Sequence, residues 1–311
     1  MHVTLKYITR CGIQWSVYDT SAQQRFRWPS SGLIFVPIPR QIGTASFRPF
    51  GGRRALTNLS SERFQELRVA GNRPSLPAGL RIYAIGDIHG RVDLLDALLS
   101  RTKIDLARRP KPRAIHVFLG DYLDRGATSK ETIDLLIAHA ETHECVFLRG
   151  NHEAMACNCL RESGGFDRWF RFGGVATLRS YGLSAEILSR KRSSELQAEF
   201  HDALPRSHFR FLRGLLSSFS CGDFYFVHAG INPKADLACQ NEEDLLWIRE
   251  AFLLSDRDFG KIIVHGHTPC TQIEVRPNRI NIDTGAFATG LLSCLAIDER
   301  TFAVIDTAAE G

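Results

Sequence analysis

The pattern of apolar and polar positions changes near residue 78. Before that point neither a two-residue nor a 3.6-residue period is sustained. Pro29, Pro37, Pro39, Pro49, Gly51 and Gly52 interrupt the chain repeatedly. One short helix is expected over 61–69, capped by Ser60 or Ser61, with Phe64 and Leu67 on one apolar face. After Pro77-Ala78-Gly79, short apolar runs alternate with helical spacing. Strands are expected at 81–85, 114–119 and 145–148, separated by helical stretches from Val92 to Leu99 and from Ser129 to Ala140. Residues 161–216 read as mostly helical, with Trp169, Phe170 and Phe172 as packing anchors. Further strands are expected at 224–227, 262–264, 280–282 and 292–297. Apolar strands alternating with helices predict an α/β core with parallel strands.

Charge sharpens the division. Residues 1–80 hold eleven Lys and Arg against three Asp and Glu, whereas the remainder carries a net −3. Residues 1–78 therefore form a basic extension, expected to be poorly ordered, and 79–311 a catalytic domain. The extension fits a basic tail, a targeting segment or translated upstream sequence. Met1 and Met155 are the only methionines, so a later start would use another codon. With the basic excess confined there, nucleic-acid binding is not expected, the arm being the one segment that could support it. No apolar run approaches the ~20 residues that span a bilayer, so no membrane partner and a cytoplasmic location are expected. The eight cysteines are scattered, and Cys157-x-Cys159 has no second pair at zinc spacing. They read as reduced, partly buried thiols.

Candidate chemistry sits immediately after the strands, where open α/β sheets place ligands. Asp87 and His89 follow the first, Asp121 the second, Asn151 and His152 the third, and His228 and His267 follow later ones. All seven offer oxygen or nitrogen and none sulfur, a set that suits Mn²⁺, Fe or Zn²⁺ rather than a structural cysteine site. Seven donors exceed the needs of one tetrahedral ion and suit two ions sharing a carboxylate.

Five segments carry a specific likeness. Gly86-Asp87-Ile88-His89-Gly90, Gly120-Asp121-Tyr122-Leu123-Asp124-Arg125-Gly126 and Arg149-Gly150-Asn151-His152-Glu153 resemble the three defining motifs of the phosphoprotein phosphatase family of calcineurin-like metallophosphoesterases. Val227-His228-Ala229-Gly230 and His265-Gly266-His267-Thr268-Pro269 resemble its two later histidine motifs, in the same order. The resemblance covers about residues 81–305. It implies a sandwich of two mixed β-sheets flanked by helices, and two divalent metal ions, with Mn²⁺ favoured. By motif position, Asp87 and His89 would bind the first ion and Asp121 would bridge. Asn151, His228 and His267 would complete the second. His152 would be the acid at the leaving group, with Asp124 behind it, and Arg125 and Arg249 would hold phosphate oxygens.

The implied activity is metal-dependent hydrolysis of phosphate monoesters, on phosphoserine or phosphothreonine in proteins and, as in bacterial-type members, phosphotyrosine. The nearest rival is symmetrical hydrolysis of diadenosine tetraphosphate, and a more distant one is a binding protein with a dead site. Simpler roles suit the other residues. Glu153 opens a helix, where its charge favours the dipole. His265 packs or supports the ligands. Trp247 and Phe252 are core or site wall, and Asp283 supports a turn or the metal ligands. His116, His139, His143, His201 and His208 need no catalytic role.

Overall fold

The computed structural model describes residues 74–184 and 192–308, together with two short strands outside them, β1 (Gln14–Trp15) and β2 (Gln65–Glu66). In the first sheet, β3 (Leu80–Ile85), β4 (Arg113–Phe118) and β5 (Glu144–Phe147) run parallel. An antiparallel hairpin, β11 (Ser293–Asp298) and β12 (Thr301–Asp306), docks on the other side of β3, and β2 pairs with β12. The second sheet is built from β6 (Ser218–Cys221), β7 (Phe224–Val227), β8 (Ile262–His265), β9 (Glu274–Val275) and β10 (Arg279–Asn281), with β1 on its edge. There β7, β8 and β10 are parallel and the remaining pairs antiparallel. Both sheets are mixed, as expected from the family resemblance.

Side-chain alternation makes the layers. In β3, Leu80, Ile82 and Ala84 point between the sheets, where they meet Phe226, Val264 and Ile280. Tyr83 and Ile85 point outward, under helices. Those helices are α1 (Val92–Arg108), α2 (Ser129–Ala140), α3 (Asn151–Arg161), α4 (Phe166–Arg171), α5 (Gly174–Ser180), α6 (Ser193–Ala203) and α7 (Arg206–Arg213). Each contributes buried apolar residues, such as Leu98, Leu136, Trp169 and Phe200, to that outer layer. Burying one such side chain stabilises by roughly 1.5–3 kcal/mol. Beyond the second sheet, Tyr225, Val227 and Ile263 pack against Leu245 of α8 (Glu242–Trp247) and Phe252 of α9 (Glu250–Leu253). A strand buried on both faces has no polar side to alternate with, which is why these strands read as apolar runs. The described residues belong to one compact unit.

Several boundaries differ from expectation. Helix α1 continues nine residues past Leu99, because its inward positions become the polar Thr102 and Asp105, which are buried but hydrogen-bonded. Apolar spacing alone is blind to such a continuation. β6 and β12 were not expected from the sequence; β6 is short and places only Phe219 and Cys221 toward the inter-sheet core. Leu148 lies beyond β5 and forms a lone bridge to Leu216. The helix expected over 61–69 is overturned at Gln65–Glu66, which pair as a strand with Phe302 and Thr301. The rest of that segment lies outside the described residues. Ser75 and Leu76, at the end of the presumed extension, are tied to the domain: Ser75 donates to Asp223, and Leu76 is buried between the sheets. Among the described residues no helix is long and apolar enough to cross a membrane.

Candidate active site and metal centre

Loops at the carboxyl ends of β3, β4, β5, β7 and β8 converge on one point. They deliver Asp87 and His89, Asp121, Asn151 and His152, His228, and His267, all buried. Six described non-glycine residues have left-handed φ, and five lie here: His89 (49°), Asp121 (52°), Asp124 (74°), Arg125 (67°) and His267 (67°). Such backbone costs on the order of 1 kcal/mol or more per residue and persists where the surroundings over-determine it. Glycines let the carboxylates lie against neighbouring backbone. A Cβ on Gly150 would collide with Asp121 Oδ1, and one on Gly266 with Asp87 Oδ1.

Asp121 is the centre of the constellation. Its carboxylate lies 3.5 Å from His89 Nε2, 3.4 Å from His228 Nε2 and 3.8 Å from His152 Nε2. It belongs to two potential ligand triads, one with His89 and His152 and one with His228 and His267. Asn151 Oδ1 stands 2.9 Å from His228 Nε2 and 3.0 Å from His267 Nδ1. Asp87 Oδ2 accepts from the His267 backbone N–H at 3.1 Å. The carbonyls of Leu123 and Leu119 accept from His89 Nδ1 (2.8 Å) and His228 Nδ1 (3.0 Å). Each ring thus turns a lone pair on Nε2 toward Asp121.

The electrostatics are those of a cation site. Burial pushes His89 down to about 3 and His267 to about 2, and lowers His228 as well, so these rings are neutral donors. Burial, then the nearby Asp283 and Asp121, raises Asp87 well above the ordinary carboxylate range. Burial would also raise Asp121, but the surrounding imidazoles of His228, His152, His89 and His267 favour its ionised form overall, and of these His152 is the ring whose own proton affinity is raised. As placed, the lone pair of His228 faces the oxygens of Asn151 and Asp121, acceptor against acceptor. Asp87 Oδ1 and His267 Nε2 are buried with no hydrogen-bond partner among the described residues. Converging acceptors without donors are costly alone and are reconciled by positive charge, so the residues present fit divalent cations.

Hydrogen bonds through Asp124 hold His152. Its Nδ1 lies 2.6 Å from Asp124 Oδ2, which also accepts from Trp169 Nε1 at 2.7 Å, while Thr177 Oγ1 donates to Asp124 Oδ1 at 2.5 Å. Its Nε2 faces the centre, 3.3 Å from Arg125 Nη2. Burial alone would lower His152, but Asp121, then Asp124, raise it overall. Arg249 is exposed at the start of α9, close enough for its charge to depress His267.

Comparison with known proteins decides the family. Residues 80–286 match the model of the calcineurin-like phosphoesterases. The chain belongs to that family. A curated relative, the asymmetrical bis(5'-nucleosyl)-tetraphosphatase PrpE of Oceanobacillus iheyensis, is 26% identical over 72% of this chain and 91% of its own length. Serine/threonine-protein phosphatase 2 of Salmonella typhimurium is 28% identical over 70% and 92%. Among solved structures, a cold-active protein tyrosine phosphatase (TM-score 0.51, 18% identity, 72% of this chain and 77% of its own) shares the fold. So does a putative diadenosine tetraphosphatase (0.50, 18%, 74% and 95%). The calcineurin-like phosphoesterases use divalent metals, and this member, with relatives named for protein and for nucleotide substrates, is a phosphoesterase hydrolase.

Some contributors in this phosphoesterase were not expected from sequence. Glu153 does more than open α3. Its Oε2 accepts from the backbone N–H groups of Asp121 (2.8 Å) and Gly150 (3.0 Å), and its Oε1 from those of Tyr122 (2.8 Å) and Leu123 (3.1 Å). One carboxylate ties two ligand loops together. Trp169, expected as a packing anchor, also donates to Asp124. Asp283, expected to support a turn or the metal ligands, lies beside Asp87 and accepts from Gly285 N–H at 2.8 Å. Phe287, in α10 (Ala286–Thr289), lies edge-on to His89 at 5.4 Å, with Arg125 over its ring at 4.6 Å. Phe172 lies edge-on to His152 and to Trp247, and Trp247 to His267, so three rings rim the imidazoles. His265 packs against Phe252 and joins neither triad.

Proposed function

We propose that this phosphoesterase hydrolyses phosphate monoesters on proteins, at phosphoserine or phosphothreonine and also phosphotyrosine. The observation that carries the proposal is the buried His152–Asp124 pair, whose free Nε2 faces the Asp121 centre beside the guanidinium of Arg125. Asp87, His89 and Asp121 would hold one ion, and Asp121, Asn151, His228 and His267 the other, with Mn²⁺ the favoured metal and Fe or Zn²⁺ the alternatives. Two such ions, when bound, lower the pKa of a shared water and neutralise phosphate charge. Arg125 and Arg249 offer planar forks to the phosphate oxygens. As water attacks phosphorus in line and the ester P–O bond breaks, the leaving oxygen takes a proton from His152 Nε2. Asp124 holds the imidazolium in place through Nδ1.

A second reading has its own support. The PrpE relative matches over most of its length, and the rim of Phe172, Trp247 and Phe287 offers stacking surfaces for a nucleobase. On that reading the substrate is a dinucleoside tetraphosphate. Phosphoserine, phosphothreonine and phosphotyrosine peptides and diadenosine tetraphosphate, assayed side by side with Mn²⁺, separate the two. The protein-phosphatase reading expects the larger kcat/KM on a phosphopeptide; a larger value on the dinucleotide refutes it. Product analysis would then distinguish AMP plus ATP from two ADP.

A further inference from the structure

Outside the phosphoester centre, one group of side chains has the makings of a separate site. β4 and β5 pair with His116 opposite Cys145, and the last turn of α2 lays His139 over them. Donor atoms of His116, His139 and Cys145 all lie within 4.8 Å of one another. The His139 ring is 4.7 Å from His116, and His143 stacks on His139 at 4.0 Å. The group lies upstream along the same strands, before the ends that carry Asp121 and Asn151.

The ring nitrogens point to a ligand. His116 is almost wholly buried, and its Nε2 lies 3.2 Å from Thr102 Oγ1. The single hydroxyl proton of Thr102 is directed to Leu99 O at 2.9 Å, so Oγ1 accepts and His116 Nε2 donates. The neutral ring then carries its lone pair on Nδ1. That Nδ1 is buried with no hydrogen-bond partner among the described residues, and so is His139 Nε2. Leaving such atoms unsatisfied costs about 1–3 kcal/mol each, a cost that apolar side chains of similar shape would avoid.

We propose that His116 Nδ1, His139 Nε2 and Cys145 Sγ bind one tetrahedral metal ion of the zinc type, with His143 as the fourth ligand. Two or three imidazoles and one thiolate select zinc-like ions over Mg²⁺, Ca²⁺ or Mn²⁺, which favour oxygen. Zinc–nitrogen and zinc–sulfur bonds of about 2.0–2.3 Å place tetrahedral ligands roughly 3.3–3.7 Å apart. Closure from the present spacing is therefore a shift of about 1 Å, within reach of small side-chain adjustments. His143 is exposed and stacks face to face on His139, with its Nδ1 3.2 Å from His139 O and 2.9 Å from Thr142 Oγ1, so its ring must rotate to bring a nitrogen to the ion. Binding displaces the proton of Cys145, a thiol that burial otherwise pushes up to about 12. The ion clamps the end of α2 to the β4–β5 edge, a structural role that no step at the phosphoester centre requires.

Cobalt separates this site from the other. The phosphoester centre presents only nitrogen and oxygen, so a thiolate-to-cobalt charge-transfer band in the near ultraviolet does not come from it, and loss of the band in Cys145→Ser assigns it to Cys145 among the free cysteines. Full-length protein, stripped with chelator and titrated with Co²⁺, is expected to develop that band to saturation by three equivalents per chain, two for the phosphoester centre and one for this site, and Zn²⁺ is expected to bleach it. Cys145→Ser should abolish the band, and His139→Ala should weaken the affinity behind it at least about 10-fold. Both variants should keep the wild-type far-ultraviolet circular dichroism. Zn²⁺ should also raise the unfolding temperature of the wild type more than that of His139→Ala. A folded wild type that shows no thiolate band once Co²⁺ exceeds three equivalents per chain, or a band undiminished in Cys145→Ser, overturns the proposal.

Discussion

His152 Nδ1 lies 2.6 Å from Asp124 Oδ2, and neither side chain reaches solvent. Asp124 also accepts from Trp169 and Thr177, so the imidazole is held by a carboxylate that is itself immobilised. If His152 supplies the leaving-group proton, its value depends on how much the leaving oxygen needs one. His152→Asn should lower kcat on a phosphoserine peptide by about 10²–10⁴, and clearly less on an aryl phosphate whose phenolate leaves unaided. Asp124→Asn should show the same substrate dependence with a smaller loss. Equal losses on both substrates in steady-state assays would remove His152 from the acid role.

The residues that converge on Asp121 were legible in the sequence because each sits in a short motif directly after an apolar strand, and strand ends are legible from apolar runs. Asp87, Asp121, Asn151, His228 and His267 are all brought together by the fold. What escaped were contacts made across long sequence separations by residues with an adequate local explanation. Glu153 reads as the first turn of a helix, yet three of its four N–H partners are about thirty residues away. Trp169 reads as core, which it is, while its indole N–H reaches Asp124. Phe287 follows a glycine-bounded turn with no periodicity to assign it a face. The polar inward positions of α1 escaped for a related reason: their satisfaction depends on partners, such as Arg81, that lie in another element.

Glu153 gives a prediction that does not involve metal contact. Burial, and then the charge of Asp121, pushes its carboxyl up, while backbone N–H groups, including those of Leu123 and Gly150, pull the other way. In Glu153→Gln one oxygen is replaced by an amide that can only donate, facing two N–H groups that then lack an acceptor. About 1–3 kcal/mol for each stranded group predicts destabilisation of roughly 2–6 kcal/mol. The loops bearing Asp121 and Asn151 should loosen, so metal-dependent activity should require more Mn²⁺ for half saturation. Urea unfolding and a Mn²⁺ titration of activity check the two effects; wild-type behaviour in both would show that Glu153 serves only as a helix-start residue.

Phe287 and Arg125 form a pair at the mouth of the site, with the guanidinium carbon 4.6 Å from the ring centroid. The ring is partly exposed and can orient the arginine toward phosphate oxygens or stack on an aryl group of the substrate. Phe287→Ala removes a cation–π contact worth about 0.5–1 kcal/mol, which corresponds to a KM rise of roughly 2–5-fold on phosphoserine peptides. If the ring also contacts the substrate, KM for phosphotyrosine peptides should rise further. Steady-state comparison of the two peptides reads the difference. An unchanged KM on both would place Phe287 outside the substrate's reach.

A buried charge network at the far side of the first sheet tests how the fold itself is held. Arg81, within β3, pairs with Asp105 of α1 at 2.9 Å and with Asp298 of β11 at 2.7 Å, and Tyr83 Oη donates to Asp105 at 2.6 Å. Arg109 also pairs with Asp105, and Lys111 with Asp298 at 2.8 Å. Breaking a buried ion pair costs about 3–5 kcal/mol, chiefly through the charge left behind. Arg81→Met leaves each carboxylate another cation and should fall at the low end, about 3 kcal/mol. Asp105→Ala strands Arg81 in the sheet with one carboxylate fewer and also removes the acceptor of Tyr83, so it should cost about 5 kcal/mol. Chemical unfolding of the two variants measures the order directly. A larger loss for Arg81→Met would mean that packing of the arginine stem, rather than charge pairing, holds α1 to the sheet.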